Sequence, residues 1–281
     1  MSETKPHENP LVNNKKLRQM YLTMVEARVL EEHVAKMQRG VKASRRMAST
    51  HGQEACRVST AVELGAGDLV SDAHAGVVMD LVLGATPGSV LRRVAALGSG
   101  KKTATTNSGS RQLPWIEDVE DRLRMALGAG LAFKTLKQTS IIVTYVNHHE
   151  ADGKAWRKVL TLAAELEVPI IFVVLPEAGS KKKQDGFGHI STKARSCGVP
   201  GIPVDANDAV ALYRVAQESI GRLRGGDGPV VIECVPYRQQ GESNDPIVRM
   251  KDFLLGGKVC TPEWLNRAGD TFRERIAAMK R

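Results

Sequence analysis

Residues 147–154, NHHEADGK, bring two imidazoles and two carboxylates into one short stretch. Imidazole and carboxylate suit several divalent ions. Two further stretches of the same character lie downstream: 176–183, PEAGSKKK, with Glu177 and three lysines, and 236–245, PYRQQGESND. His148 and Glu177 are the candidate metal ligands, because one strand–helix–strand unit would bring both to one sheet edge. The spacing matches no standard zinc pattern, and the nearest cysteines are remote in sequence. A plainer reading makes His148 and His149 exposed residues that cap the helical region after them. A fourth stretch, 98–114 (GSGKKTATTNSGSRQLP), sets Lys101 and Lys102 among glycines and hydroxyls. These lysines could face a phosphate, but no strand precedes the glycines and the spacing is not that of a P-loop.

The elements that must position these loops are legible from periodicity. Residues 140–146 (SIIVTYV), 169–175 (PIIFVVL) and 230–235 (VVIECV) are apolar and β-branched, as strands buried on both faces require. A shorter strand is expected at 201–204. Between them, 155–167 and the segment from Ala209 to Leu223 carry apolar residues at helical spacing, the second opened by N-cap types at 205–208 and closed by Gly225 and Gly226. Strands alternating with helices predict an α/β fold with a mostly parallel sheet and helices on both faces. Ligands in such sheets bind outside the carboxyl ends of the strands, where all three polar loops emerge.

The first half reads as helices at 14–39, after Gly52, at 73–83 and at 87–97, with Pro87 in a first turn. A final amphipathic helix is expected at 262–279. The expected organisation is a flexible arm at 1–13 and one domain at 14–281, helical to residue 135 and sheet-bearing from 136.

The chain has 281 residues, 42% hydrophobic and 25% charged, which excludes disordered and collagen-like classes. No apolar run reaches the roughly 20 residues of a membrane span. The polar start, residues 1–10, has no apolar core of a signal peptide. Cys56, Cys197, Cys234 and Cys260 form no CxxC pair and are expected as thiols in a reducing cytoplasm. The net charge is +9, with basic clusters at 15–18, 36–46, 101–102 and 181–183. Such a balance attracts anions, acidic partners or nucleic acid. An aromatic content of 4% leaves few platforms for nucleic-acid stacking.

Five stretches, in order and with similar separations, resemble the alpha subunit of the thiamine-diphosphate-dependent decarboxylating component of 2-oxo acid dehydrogenases of the pyruvate, branched-chain and acetoin type. They are GQEA at 52–55, LGAGLAFK at 127–134, LTLAAELEVPIIF at 160–172, GVPGIPVDANDAVALY at 198–213 and GPVVIECVPYRQQGES at 228–243. The resemblance covers roughly residues 17–253. It implies the thiamine-diphosphate-binding fold. It further implies an alpha subunit that holds the cofactor diphosphate through magnesium, with a beta subunit completing the site in an α2β2 assembly. There a 2-oxo acid loses carbon dioxide and its acyl group passes to lipoamide.

The resemblance also shows what stands at the family's functional positions. Where the family has Gly-Asp-Gly after its strand, this chain has Asn147-His148-His149. Glu177 stands at the family's second magnesium ligand, an Asn. The Tyr-Arg pair that grips the phosphates falls near His74 and Ala75, and the histidine of the late GHS motif is Glu242. Residues 100–110 replace the glycine-rich loop, while Tyr237, Arg238, Gly241 and Ser243 match. Magnesium demands hard oxygen donors, and the lost glycines had let the backbone approach the diphosphate. The expectation is an alpha-like subunit, paired with a beta-type partner or with itself, that has lost the family's catalysis. One alternative is an active decarboxylating dehydrogenase with His148 and Glu177 as altered metal ligands. Another is an anion- or nucleic-acid-binding module. Ser243 lies where some relatives are phosphorylated.

Overall fold

The computed structural model of the chain describes residues 11–74, 76–99, 111–177, 188–236 and 244–279. The first helix, α1 (Asn14–Met37), starts where the Asn13 side chain accepts from the Lys16 amide at 2.8 Å. Then follow α2 (Glu54–Ala61), strand β1 (Leu69–Ser71), α3 (Val78–Val82), α4 (Pro87–Gly98) and α5 (Val119–Thr135). Pro87 stands in the first turn of α4 behind a Thr86 cap, as expected.

The second half alternates. Strand β2 (Ile142–Asn147) leads to α6 (Lys154–Glu165), β3 (Ile170–Leu175), α7 (His189–Ser196), β4 (Gly201–Asp205), α8 (Ala209–Arg224) and β5 (Val230–Val235). Two helices close the chain, α9 (Pro246–Gly256) and α10 (Pro262–Ala278). Of the cap-forming run at 205–208, Asp208 does the work, accepting from the amides of Val210 and Ala211.

The five strands run parallel in the order β1-β2-β3-β5-β4. Side chains alternate between two packed faces. Val143, Tyr145, Ile171, Val173 and Ile232 enter one core with α1, α2, α8, α9 and α10. Ile142, Val146, Phe172, Val174 and Val231 enter the other with α5, α6 and α7. Both faces are therefore covered, which is why β2, β3 and β5 are buried throughout. No helix among the described residues is long and apolar enough to cross a membrane.

Strand β1 lies inside the stretch expected to be helical. It spans three residues and follows a glycine-bearing loop, too short for any period to show. Tertiary bonds define it: Leu69 N–H donates to the Ile141 carbonyl, Asp68 accepts from the Ile141 amide, and residues 111–113 flank Val70. The helix expected at 73–83 shrinks to α3 accordingly. Ala73 and His74 instead form the turn leaving β1, where Asp72 Oδ1 accepts from the His74 amide at 3.3 Å.

Candidate functional site at the carboxyl edge of the sheet

The register of β2 on β3 pairs Asn147 with Leu175, so both strands end level. His148 and Glu177 leave the same edge, as the sequence expected. The imidazole that reaches Glu177 is that of His149, Nδ1 to Oε1 at 3.3 Å, with both side chains exposed. His148 is half-buried, and its Nε2 has no hydrogen-bond partner among the described residues.

Neither histidine caps a helix, contrary to the plainer sequence reading. They sit in a 3-10 turn, His148–Glu150, whose capping falls to its ends. The Asn147 side chain accepts from the Glu150 amide, and the Glu150 carboxylate accepts from the Asn147 amide at 2.9 Å. Arg122 of α5 donates to the same Glu150 oxygen at 2.8 Å and to the Ile116 carbonyl at 3.1 Å. The short side chains that could cap α6 are absent: Gly153 occupies that position.

Beneath the edge lies a polar network on the α2 side of the sheet. Gln53 Nε2 donates to the Pro176 carbonyl at 2.7 Å, tying the start of α2 to the end of β3. Arg57, fully buried, donates from Nε to Gln53 Oε1 at 3.2 Å and from Nη1 to Asp72 Oδ1 at 2.6 Å. Its guanidinium stands 5.2 Å from the centre of the Tyr145 ring. The Tyr145 hydroxyl meets Thr60 Oγ1 at 2.7 Å, and burial drives its pKa far above the ordinary range. His74 is hydrogen-bonded to the Asn147 side chain, and burial, then the Arg57 cation, hold its pKa below the usual imidazole value. Trp115, partly exposed, donates from Nε1 to the Ala73 carbonyl at 3.3 Å.

The start of α2 is clamped from α1. Arg28 donates to buried Glu54 at 2.8 Å and also pairs with Asp245, the cap of α9. Glu54 in turn accepts from the Gly52 amide at 2.9 Å. Glu31 accepts from the amide and hydroxyl of Thr50, and burial raises its pKa.

The sequence assigns no role to Arg57, Asp72, Tyr145 or Arg122, and Glu150 enters it only as one of the carboxylates of 147–154. The signal for Arg57 was a charged residue among Ala55, Cys56 and Val58, in a helix whose eight residues are all buried. Lys101, Lys102, Lys181–Lys183, Ala75, Tyr237, Arg238, Gly241, Glu242 and Ser243 lie outside the described residues.

The profile of the family described as Dehydrogenase E1 component matches residues 21–252. The chain belongs to this family. It is similar to the 3-methyl-2-oxobutanoate dehydrogenase subunit alpha of Mycobacterium tuberculosis, 30% identical over 226 residues, which cover 79% of this chain and 60% of that protein. The pyruvate dehydrogenase E1 component subunit alpha of Mycoplasma genitalium is 23% identical over 273 residues, 89% of this chain and 75% of that one. The 2-oxoisovalerate dehydrogenase subunit alpha of Bacillus subtilis is 28% identical over 245 residues, 80% and 72%. The parallel five-stranded sheet with helices on both faces agrees with an E1 alpha-subunit fold.

The residues at the β2–β3 edge do not fit the magnesium and diphosphate that the family resemblance implies. Magnesium needs several oxygen donors in a near-octahedral set. Here the Asn147 oxygen is taken by the Glu150 amide, and the Glu150 carboxylate by Arg122 and the Asn147 amide. His148 and His149 offer nitrogen, and Glu177 faces His149. Side chains at 147, 148 and 149 fill positions where a close backbone approach to phosphate would need glycine. Among the described residues, no three His, Cys, Asp or Glu side chains converge to hold a metal.

Proposed function

We propose that this E1-family chain is an alpha-like subunit that pairs with a beta-type partner in the cytoplasm and does not itself carry thiamine-diphosphate catalysis. One observation carries the reading: the side chains at the β2 end, Asn147 and Glu150, are spent on fixing their own turn, while the other donors there are His148, His149 and a histidine-paired Glu177. Family membership supports the pairing, since relatives such as the Bacillus subtilis protein are named as alpha subunits. The sheet, both cores and the α1–α2 clamp are fully built, so what the chain offers is a folded surface. Its part is to shape or regulate the partner.

Native mass spectrometry of the tagged chain, purified from its own host at low salt, tests this. The expected result is a complex with a second subunit and no added mass of thiamine diphosphate or metal. A complex carrying both masses would overturn the reading, in favour of an active dehydrogenase with altered ligands. Recovery of the chain only as a monomer or homodimer would remove the beta-type partner.

A further inference from the structure

The buried and half-buried cations Arg28, Arg57, Arg93, Arg122 and Arg249 each face a carboxylate. Residues 36–46 carry cations of the opposite kind. Lys36, Arg39, Lys42, Arg45 and Arg46 fall within eleven positions that hold no Asp or Glu, against a net charge of +9 for the whole chain. All five are exposed. None has an ion-pair partner among the described residues, and Arg46 spends one donor on the Val41 carbonyl at 2.7 Å. The carboxyl end of α1 accounts for one favourable positive charge, Lys36 in its last turn. Arg46 is held by the Val41 carbonyl, and Arg39, Lys42 and Arg45 have no side-chain partner among the described residues.

The patch borders the carboxyl edge. Val41 stands beside Gly98 at the end of α4, and Ala48 and Thr50, just beyond the patch, lie against Gly76 after the exit of β1. Thr50 is tied to Glu31 of α1, so the segment that follows the patch is anchored. Five like charges this close repel one another within a Debye length of about 8–10 Å, and an opposing anionic surface relieves that repulsion.

We propose that residues 36–46 are the docking surface for an acidic face of the partner subunit. The proposal rests on the alpha-like reading above and adds where and by what chemistry the partner is held. A protein is favoured over nucleic acid because the patch contains no aromatic side chain to stack a base, while partly exposed Met37 supplies apolar surface among the cations. Charge complementarity of this kind acts chiefly on association rate and partner choice.

The test uses the full chain with Arg39→Glu, Lys42→Glu and Arg45→Glu together, leaving Lys36 at the end of α1, and a second variant with Gln at the same sites. The probes are the subunit captured with the wild type, a poly-glutamate peptide and duplex DNA. The wild type should bind the partner faster at low salt than at high salt, and poly-glutamate should compete. The Glu variant should lose about tenfold or more in low-salt association rate, with an unchanged melting temperature, and the Gln variant should fall between. An unchanged rate and salt dependence in both variants would overturn the proposal. So would loss of DNA binding with partner binding intact. If the wild type captures no subunit, the alpha-like reading fails, and poly-glutamate still decides the patch: salt-sensitive binding lost in the variants supports an acidic ligand, and no binding overturns it.

Discussion

Arg57 and Asp72 meet at 2.6 Å in the interior, the arginine side chain wholly buried and the aspartate nearly so. The pair fastens α2 to the exit of β1. Through Gln53 the same guanidinium is linked to the Pro176 carbonyl at the end of β3. Three segments of the carboxyl edge thus hang on one side chain. Arg57 Nη2 has no hydrogen-bond partner among the described residues, so Asp72 and Gln53 carry the compensation for burying this cation.

Breaking this pair should be far more damaging than any surface substitution. Arg57→Leu leaves Asp72 buried without its counter-ion, and the expected loss is about 3–5 kcal/mol in urea unfolding. Asp72→Leu should cost a similar amount. The double variant removes both ions and should lose less than the sum of the two, because neither charge is then stranded. Additive losses would show that the two residues do not act as a unit.

The 3-10 turn that carries both histidines offers a second contrast. Asn147→Ala removes one capping acceptor and should cost about 1 kcal/mol. Arg122→Ala leaves Glu150 facing the interior without its cation, and breaking so buried a pair should cost about 3–5 kcal/mol. Hydrogen exchange at the Asn147 and Glu150 amides should rise in both variants. Equal, small losses would mean that the Arg122–Glu150 pair is screened by solvent and does not hold the turn.

The parallel sheet was legible because β2, β3 and β5 are rich in β-branched and other apolar residues and are bracketed by amphipathic helices. Strand β1 was not, since three residues carry no period and its pairing comes from β2 and residues 111–113, both distant in sequence. Helices α7, with the polar run HISTKARS, and α9 were also unread. Their packing is tertiary: the buried Glu233 carboxylate accepts from the Ser191 amide in the first turn of α7 at 2.7 Å. At the edge, sequence brought the ends of β2 and β3 level, so that His148 and Glu177 leave the same side of the sheet. It did not show that His149 takes Glu177, because rotamers and a 3-10 turn decide which of two adjacent imidazoles points across. Nor could it show Arg57, whose partners lie 4 and 15 residues away.

The imidazole of His74 gives the acid limb of stability a named component. Burial and the Arg57 cation lower its pKa in the folded state, opposed by Asp72, Glu150 and the bond to Asn147. A lowered folded pKa means that the unfolded chain binds more protons, so this contribution is complete above the unfolded value and is lost as pH falls. The window opens below about 6.5, the ordinary histidine value. The raised pKa values of Glu31 and Asp80 act in the opposite sense, with stability lost as pH rises through their folded values. Comparing wild type with His74→Gln isolates the histidine. The variant should show a shallower loss of stability between pH 6.5 and 5, about the range just below the unperturbed pKa. Identical acid limbs would mean that His74 is protonated as readily in the fold as in the unfolded chain.

Thiamine diphosphate with magnesium should leave the melting temperature of the chain, alone or with its partner, unchanged. The argument is one of linkage. A ligand that binds only the folded state at a hundredfold excess over its Kd adds about 2.7 kcal/mol. In a chain of this size, each kcal/mol moves the melting point by roughly 2–4 °C. A retained cofactor site would therefore raise the transition by several degrees, well above the scatter of the measurement. The fixed turn at His148–Glu150 and the His149–Glu177 contact would have to open first, and that cost subtracts from any binding. A rise of several degrees that vanishes on adding a chelator, and again in His148→Ala/Glu177→Ala, would show that these two residues do hold a metal and that the chain carries a working cofactor site. A flat response, for the chain alone and for the partner complex, would leave the edge as the self-closed structure that Arg57, Asp72, Arg122 and Glu150 build.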